Sequence, residues 1–465
     1  MFRSVGARLV TGLMLVALWL SSAAAPAVAA SHTRWVDNDN HPGDGPNACD
    51  TAHFHTIQAA IDASSPNDRV FVCPGTYPEQ VTIDVRGLSV QAKPTHAAKI
   101  IPPGAVLEEV DGTTSLVRIT ARNVSLVGFR LNFPAGDGDP QPLANGCSQV
   151  DAAIVADWPH ALVYSNAITA LGTNTLSGDC GYLVGIVLGS DTLNGDSSLA
   201  TSPFNGDTSV VAHNTVRDFK YLGIGVGGDR SARVYSNRVR YVHADDPATC
   251  VVTPVLGIQA DITYPCTLTI ANVPQSLEPL PFSVGIGAVG ALVDVRKNSV
   301  YSTLDAEACN PFDSSFCPNS LGVGIGMLSP APGSMVRNNT VTNTFFGLGQ
   351  IDSEVAPALQ GTLPSAPNGT QYTGNRANEN FVGFFLAGYE NVYYGNRAHL
   401  NQANVWVVGG SDNSFMSNDF RYSFDAADCI DQTSGSGTSG TANYWDGTNW
   451  GYDNSPSDIC TAPFV

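Results

Sequence analysis

Charged residues are scarce in this 465-residue sequence, and their signs are unbalanced. Only 14% of the residues are Asp, Glu, Lys or Arg, and 41 carboxylates stand against 22 Lys and Arg, which gives a formal net charge of −19. Such an acidic chain repels phosphates, so nucleic acid is excluded as its expected partner. Long apolar runs are also missing after residue 30, so we expect no membrane-spanning helix there.

Methionine clusters, Cys-x-x-Cys motifs and helical patterns are also missing or rare. The five methionines form no group with histidine, which argues against a copper-handling protein. The absence of Cys-x-x-Cys argues against a zinc ribbon or a thioredoxin-like redox site. Only residues 54–64 repeat apolar side chains at helical spacing, with Phe54, Ile57 and Ile61 on one face and Thr56 as the expected N-cap. The rest of the chain is predicted to be β.

Residues 1–30 have the pattern of a secretory signal peptide. Arg3 and Arg8 precede the short apolar run "LMLVALWL", and "APAVAA" supplies small residues before a cut after Ala29 or Ala30. We therefore expect a secreted, extracellular protein. Removing the two leader arginines would change the net charge from −19 to −21.

The ten cysteines are an even number in a chain predicted to be exported, which indicates disulfide bonds. We expect neighbouring cysteines to pair, because each bond then closes a local loop. The predicted pairs are Cys49–Cys73, Cys147–Cys180, Cys250–Cys266, Cys309–Cys317 and Cys429–Cys460.

Two short phrases alternate along most of the chain. One is a glycine-rich strand such as "LGIGVGG" (222–228), and the other is a strand that ends in asparagine, such as "ARVYSNRV" (232–239). The asparagines recur about every 22 residues, and a fixed period of this length is a sign of a repeat fold. Without helices, each repeat must stack its strands in parallel on the next repeat, about 4.8 Å away. The sequence predicts an all-β, single-stranded parallel β-helix of about ten coils.

The recurring asparagines have a structural explanation. Asn tolerates the left-handed backbone conformation of a tight corner, and in stacked coils its side chain can hydrogen-bond the next coil. We predict such a ladder for Asn166, Asn214, Asn237, Asn298, Asn339, Asn375, Asn396 and Asn418.

The start of the repeat region resembles a known family. "TIQAAIDAS" (56–64) followed by "RVFVCPGTYPEQVTI" (69–83) is similar to the right-handed parallel β-helix proteins of the pectin-lyase-like superfamily, and the resemblance extends over residues 35–460. It implies one right-handed β-helix domain over 31–465, with an N-terminal cap at about 50–80 that includes the helix. A C-terminal cap is expected at about 425–465.

This resemblance does not specify a reaction. The fold carries lyases, hydrolases, esterases, epimerases and non-catalytic proteins. "GTYPE" is shared with pectin methylesterases, but their later catalytic motifs are missing. The acidic motifs of polygalacturonases and alginate epimerases are not matched either.

Four connections between an asparagine strand and the next glycine-rich strand are long, at 132–151, 170–182, 241–282 and 302–320. They are predicted to leave one corner of the solenoid and to form a wall beside a sheet, where binding sites commonly lie. The polar residues of this wall have three alternative interpretations. They are a solvated acidic rim, a Ca²⁺ site with oxygen ligands, or an acid–base pair acting on a glycosidic bond. The candidate substrate-binding residues are His243, Asp245, Asp246, Asp261, Asp305 and Glu307.

Two further groups have open interpretations. The aromatic residues Tyr444, Trp445, Trp450 and Tyr452 are expected either to seal the last coil or to stack on sugar rings. The second group consists of four arginines near the asparagine strands. They are expected either to bind sugars or act in catalysis, or to be ordinary surface residues. Its members are Arg233, Arg240, Arg296 and Arg337.

The function we expect is binding of extracellular polysaccharide by a secreted β-helix protein, with lyase or hydrolase activity left open. The alternative is a non-catalytic cell-surface or matrix protein whose loops bind protein or glycan. Ca²⁺ is the one cofactor considered, no nucleic acid or membrane partner is expected, and the chain is expected to be a monomer.

Overall fold

The computed structural model describes sixteen stretches of the chain. They are residues 31–38, 48–103, 107–110, 113–132, 149–169, 181–189, 208–219, 222–227, 230–241, 261–263, 267–269, 280–281, 284–302, 321–352, 369–424 and 427–462.

Three long parallel sheets, here named A, B and C, make up nearly all of the described structure. Each turn of the chain visits sheet A, then B, then C, and then returns to A one strand further along. Sheet A contains Thr33–Val36, Arg69–Val72, Ser89–Ala92, Ser125–Val127, Leu162–Tyr164, Thr208–Ala212, Ser231–Tyr235, Leu292–Arg296, Met335–Arg337, Gln371–Thr373, Val392–Tyr394, Ser414–Met416 and Tyr444–Trp445.

Sheets B and C follow the same order along the rod. Sheet B contains Gly75–Pro78, Ala98–Ile101, Arg130–Asn132, Ala167–Thr169, Thr215–Arg217, Arg238–Tyr241, Ser299–Ser302, Thr340–Thr342, Arg376–Asn378 and Arg397–His399. Sheet C contains Val81–Ile83, Thr113–Ile119, Gln149–Ala156, Gly181–Leu188, Leu222–Gly227, Val284–Val289, Leu321–Leu328, Thr344–Ile351, Val382–Ala387, Ala403–Gly409, Cys429–Asp431 and Asn454–Ser455. The parallel β-helix predicted from the repeat is confirmed.

Two small antiparallel elements stand outside this winding. Glu109–Val110 pairs with Thr113–Ile119, and a separate three-stranded sheet is formed by Asp261–Thr263, Thr267–Thr269 and Leu280–Pro281. Among the described residues, no helix has the length and apolar character needed to cross a bilayer.

The predicted helix is present but shorter, at Ile57–Asp62. The Thr56 hydroxyl accepts a hydrogen bond from the Ala59 amide, as expected of an N-cap. The carboxylate of Glu79, from the "GTYPE" turn, accepts two more, from the amides of Ile57 (2.8 Å) and Gln58 (2.9 Å). Two turn-forming segments thus hold the helix start in place. Two 3₁₀ turns, Cys49–Thr51 and Thr438–Gly440, are the other helical elements within the described stretches.

The core is filled by side chains that stack in register from coil to coil. In sheet A each strand contributes one central side chain that points into the core, and these side chains stack as a column. The column is aliphatic in the first half of the rod and aromatic in the second. Tyr372, Tyr393, Phe415 and Trp445 stack with ring centroids 4.8, 4.7 and 3.8 Å apart. Trp445 is therefore a core residue and not a surface aromatic.

The asparagine ladder is present and runs without interruption between sheets A and B. All eight predicted asparagines are buried, and each Nδ2 donates to the Oδ1 of the ladder asparagine in the next coil. A ninth member, Asn449, extends it into the last coil. The predicted backbone angle was wrong, because the left-handed residue is the one before each asparagine, for example Ser236 (φ 54°) before Asn237. That residue makes the turn, so that the asparagine side chain enters the rod.

Two of the predicted disulfides are confirmed. Cys49 is bonded to Cys73 beside the helix, and Cys429 is bonded to Cys460 across the last coils. The other six cysteines lie outside the described residues.

The four long connections follow sheet B strands that end at residues 132, 169, 241 and 302, and each leads into sheet C. They therefore share one corner, as predicted. Two more long connections, at 190–207 and 353–368, join sheet C to sheet A instead.

Candidate functional site

The predicted wall residues cannot be placed as a site. His243, Asp245, Asp246, Asp305 and Glu307 lie outside the described residues, and Asp261 is described only as the backbone of a strand paired with Thr267–Thr269. In the described part of the chain, no three His, Cys, Asp or Glu side chains come together as a metal site. A Ca²⁺ site therefore stays a prediction about the connections.

The outer faces of the three sheets differ in chemistry. On sheet C the outward side chains form apolar clusters, one around Val155 and Val187 and another around Phe346, Phe385 and Trp406. Sheets A and B carry mainly polar outward residues. A site for a charged or polar ligand is therefore to be sought on sheets A and B.

The outer face of sheet B is basic. Because side chains alternate along a strand, Val216, Val239 and Val300 fill the core while their neighbours point outward. The six long connections contain no lysine or arginine, and their carboxylates contribute to the net negative charge of the chain. The net charge of the whole chain therefore does not indicate that this face is basic. Its outward basic residues are Lys99, Arg130, Arg217, Arg238, Arg240, Arg376 and Arg397.

The densest part of this face, which we call the arginine cluster, surrounds Tyr301. Arg238 donates from Nε to the Tyr301 hydroxyl (3.1 Å), and its guanidinium lies over the ring at 5.3 Å from the centroid. The Arg240 guanidinium lies 6.0 Å from the same centroid. Arg217, one coil earlier, donates from Nε to the Thr169 hydroxyl (2.9 Å). Cation–π and hydrogen-bond contacts to the uncharged side chains of Tyr301 and Thr169 thus hold the cluster in place.

One carboxylate, Asp218, adjoins the cluster. Its Oδ2 lies 3.7 Å from the Arg217 Nε, and its backbone amide donates to the Arg240 carbonyl (3.2 Å). Burial raises the pKa of Asp218, and the charges of Arg217 and Arg240 offset only part of that effect. Among the described residues, neither Asp218 Oδ1 nor Arg240 Nε has a hydrogen-bond partner, although both atoms are buried. A ligand or an ordered water can supply the hydrogen-bond partner that each of these two atoms lacks.

The four arginines singled out in the sequence have separate positions. Only Arg240 belongs to the cluster, whereas Arg233, Arg296 and Arg337 lie on the outer face of sheet A. Arg337 makes two hydrogen bonds to Asp294 (2.9 and 2.8 Å), which raise its pKa, so its charge is largely satisfied. Arg296 lies over the Tyr235 ring at 5.0 Å.

A second group of polar and aromatic residues occupies the last coils. Arg421 makes two hydrogen bonds to Asp419 (2.6 and 2.9 Å), and its guanidinium lies between the rings of Trp450 (4.9 Å) and Tyr422 (5.3 Å). Burial acts to raise the pKa of Asp419, but hydrogen bonds from Arg421 and His399 outweigh it and hold the pKa below its usual range.

The sequence contained a signal for the basic face that its interpretation missed. In three repeats the ladder asparagine is followed directly by arginine, at Arg238, Arg376 and Arg397, and the next outward position adds Arg240. Because each ladder asparagine ends a corner, the residue after it starts a sheet B strand and points outward. The dipeptide Asn-Arg therefore marked the basic face.

No protein-family model matches the chain, and no curated protein matches it. Solved structures do resemble it at low sequence identity. One is a complex of XylC with xylose, with 10% identity over 84% of this chain and 75% of that chain and a TM-score of 0.48. Another is the Dettilon tailspike protein, with 14% identity over 89% of this chain and 66% of that chain and a TM-score of 0.46.

A third solved structure is the DFA-IIIase from Arthrobacter chlorophenolicus A6 without its lid, with 12% identity over 88% of this chain and 92% of that chain and a TM-score of 0.44. A pectate lyase and a pectin methylesterase are also similar to this chain, each at 12% identity. The sheet topology shows that the described structure is a parallel β-helix, and the outer face of sheet B is its candidate functional site.

Proposed function

We propose that this protein is secreted and that the outer face of sheet B binds an acidic polysaccharide. The observation that carries the proposal is the arginine cluster around Tyr301, where Arg217, Arg238 and Arg240 project from two neighbouring coils and, among the described residues, only Asp218 adjoins them with the opposite charge. Guanidinium groups are planar donors that bind carboxylates or sulfates through paired hydrogen bonds.

The shape of the rod suits a polymer. Outward residues of successive coils are about 4.8 Å apart, so the face offers regularly spaced cationic and hydroxyl groups along its length. Tyr301 adds an aromatic ring against which a sugar can pack. A protein with one deep pocket would select a small molecule, whereas an extended basic face with repeated spacing fits an extended anionic chain.

Binding is better supported than cleavage. Hydrolysis by two carboxylates requires a pair about 5–10 Å apart across the bond, and in the arginine cluster the described residues supply only Asp218. With its raised pKa, Asp218 is suited to hold a proton beside the bound chain. Cleavage would need Asp218 or groups from the long connections, so we place lyase or hydrolase activity second.

The proposal is tested by titrating the protein with uronic-acid, sulfated and neutral polysaccharides, with and without Ca²⁺. We expect binding of the anionic polymers at low salt, weakening as salt is raised, and little binding of neutral ones. Arg238→Ala should reduce the affinity by about tenfold, as expected for the loss of a charge-assisted contact.

Arg122→Ala is the matched control, because Arg122 is exposed but stacks on Trp158, at the corner between sheets C and A. It should bind like the wild type. Failure of every anionic polymer to bind the wild-type protein would remove the proposal. New reducing ends or unsaturated products in the same mixtures would show cleavage.

A further inference from the structure

The last coils expose a concentration of aromatic side chains. Tyr422, Phe424, Trp450 and Tyr452 are between 43% and 65% exposed, and they account for half of the large exposed hydrophobic residues in the described structure. Large apolar side chains grouped in this way on a surface generally mark a binding site. Trp445, from the same terminal segment, is buried instead and stacks on Phe415 in the core.

Three of these aromatic residues, Tyr422, Trp450 and Tyr452, are grouped around one cation. Arg421 lies over both the Trp450 and the Tyr422 ring and is hydrogen-bonded to Asp419. Tyr422 in turn contacts Tyr452 (5.8 Å between ring centroids) and the His399 ring (5.3 Å). We name Arg421, Tyr422, Trp450 and Tyr452 the terminal platform. Its side chains are held in fixed orientations while their rings remain accessible, which lowers the entropy lost when a ligand stacks on them.

The terminal platform is continuous with the arginine cluster. Trp450 is in register with Asp419, Arg397, Arg376, Thr340, Ser299 and Arg238, so one straight column of sheet B joins the two groups. Six steps between strands give a distance of about 29 Å from Arg238 to Trp450. Midway along the column Arg376 is exposed, and among the described residues its side chain has no partner.

We propose that the polysaccharide lies along sheet B, parallel to the rod axis, and that a sugar ring at its far end stacks on the terminal platform. This inference rests on the proposed function, since the same chain is held at its other end by the arginine cluster. A sugar ring has apolar C–H faces and a polar rim, and Trp and Tyr side chains with an adjacent guanidinium offer the matching apolar body and polar edge. The protein then binds long chains in preference to short ones.

The test measures affinity as a function of chain length, with acidic oligosaccharides of increasing size. For the wild type we expect affinity to rise by about five- to tenfold once the oligosaccharide can span about 29 Å, because one further ring is then stacked. Trp450→Ala should bind long chains only as well as short ones, and Trp450→Tyr should restore most of the rise.

Trp158→Ala is the matched control, since Trp158 is 45% exposed and also has an arginine, Arg122, over its ring. It should keep the full dependence on length. Thermal unfolding identifies variants that are misfolded, and Tyr422→Ala provides a second change to the same platform. If the wild type binds acidic oligosaccharides but all lengths equally, or if Trp450→Ala and Tyr422→Ala leave the length dependence unchanged, this inference fails while the proposed function stands.

Discussion

The Nδ2 of Asn237 donates to the Oδ1 of Asn298 at 3.1 Å, although the two residues are 61 positions apart in sequence. The preceding link, from Asn214 to Asn237, has the same length with a separation of only 23. A connection at 242–283 therefore enters between two coils without disturbing their register. The buried polar ladder thus forms a common corner against which coils of very different length are aligned.

Replacing one ladder residue should destabilise the rod strongly. Asn298 accepts from the Asn237 amide (2.9 Å) and donates to the Val234 carbonyl (2.8 Å), besides its side-chain partners. Asn298→Ala would leave these buried groups unpaired, at about 1–3 kcal/mol each, so we expect a loss of at least about 3 kcal/mol in chemical unfolding. Asn132→Ala removes a partly exposed asparagine without a side-chain hydrogen bond among the described residues, and should change the unfolding free energy little. Equal effects of the two substitutions would contradict this account.

Two glycines of sheet C should differ in how strongly a substitution by alanine destabilises the protein. A Cβ on Gly223 would lie 2.5 Å from the Gly285 carbonyl oxygen and 2.7 Å from Val239. On Gly287 it would meet only the ends of the Leu222 and Val284 side chains, at 3.1 and 3.5 Å. We expect Gly223→Ala to cost about 1–3 kcal/mol or more, whereas Gly287→Ala should stay within about 1 kcal/mol of wild type. Thermal unfolding of both variants measures these two stability changes. A Gly223→Ala variant as stable as wild type would show that the coils can move apart at this position.

The disulfide Cys429–Cys460 should stabilise the end of the rod. It closes a loop of 31 residues, for which the chain-entropy estimate is about 3–4 kcal/mol. The double variant Cys429→Ser, Cys460→Ser should therefore lose its last coils at a lower denaturant concentration than the rest of the rod. Limited proteolysis with mass spectrometry should detect early cleavage after residue 427. A double variant that is cleaved no faster than wild type would mean that the stacked core alone holds the end.

Binding of an acidic polysaccharide should strengthen as pH falls through the raised pKa of Asp218. An anionic ligand disfavours the Asp218 carboxylate further, so the complex binds a proton more readily than the free protein, and linkage then requires tighter binding at lower pH. Calorimetry in buffers of different ionisation enthalpy should show proton uptake on binding.

Asp218→Asn should bind more tightly at neutral pH and should lose this pH dependence. Asp62→Asn is the control, because Asp62 is an exposed carboxylate at the end of the helix, away from sheet B. Undiminished pH dependence in Asp218→Asn would assign the titration to another group.

Local sequence patterns predicted the solenoid, the asparagine ladder, the helix and two disulfides, because each depends on neighbouring residues or on a regular period. The helix start at Thr56 and the bond Cys49–Cys73 are both of this kind. The left-handed position was misplaced by one residue because the pattern shows the buried asparagine but not which residue turns the chain. The sequence also did not show that Trp445 is buried while Trp450 is exposed, since the burial of each residue depends on which sheet it enters.

The repeat period and the alternation of apolar residues thus predicted by themselves that this chain winds into parallel coils, because stacking each repeat on the next buries both phrases of the repeat. They could not determine which charged residues meet. Arg238 and Tyr301 are 63 positions apart, and they come into contact only because the ladder sets the register of their coils across the intervening connection. The tertiary structure alone therefore decided that seven basic residues of an acidic chain lie on the outer face of sheet B, since strand register and not sequence distance brings them together.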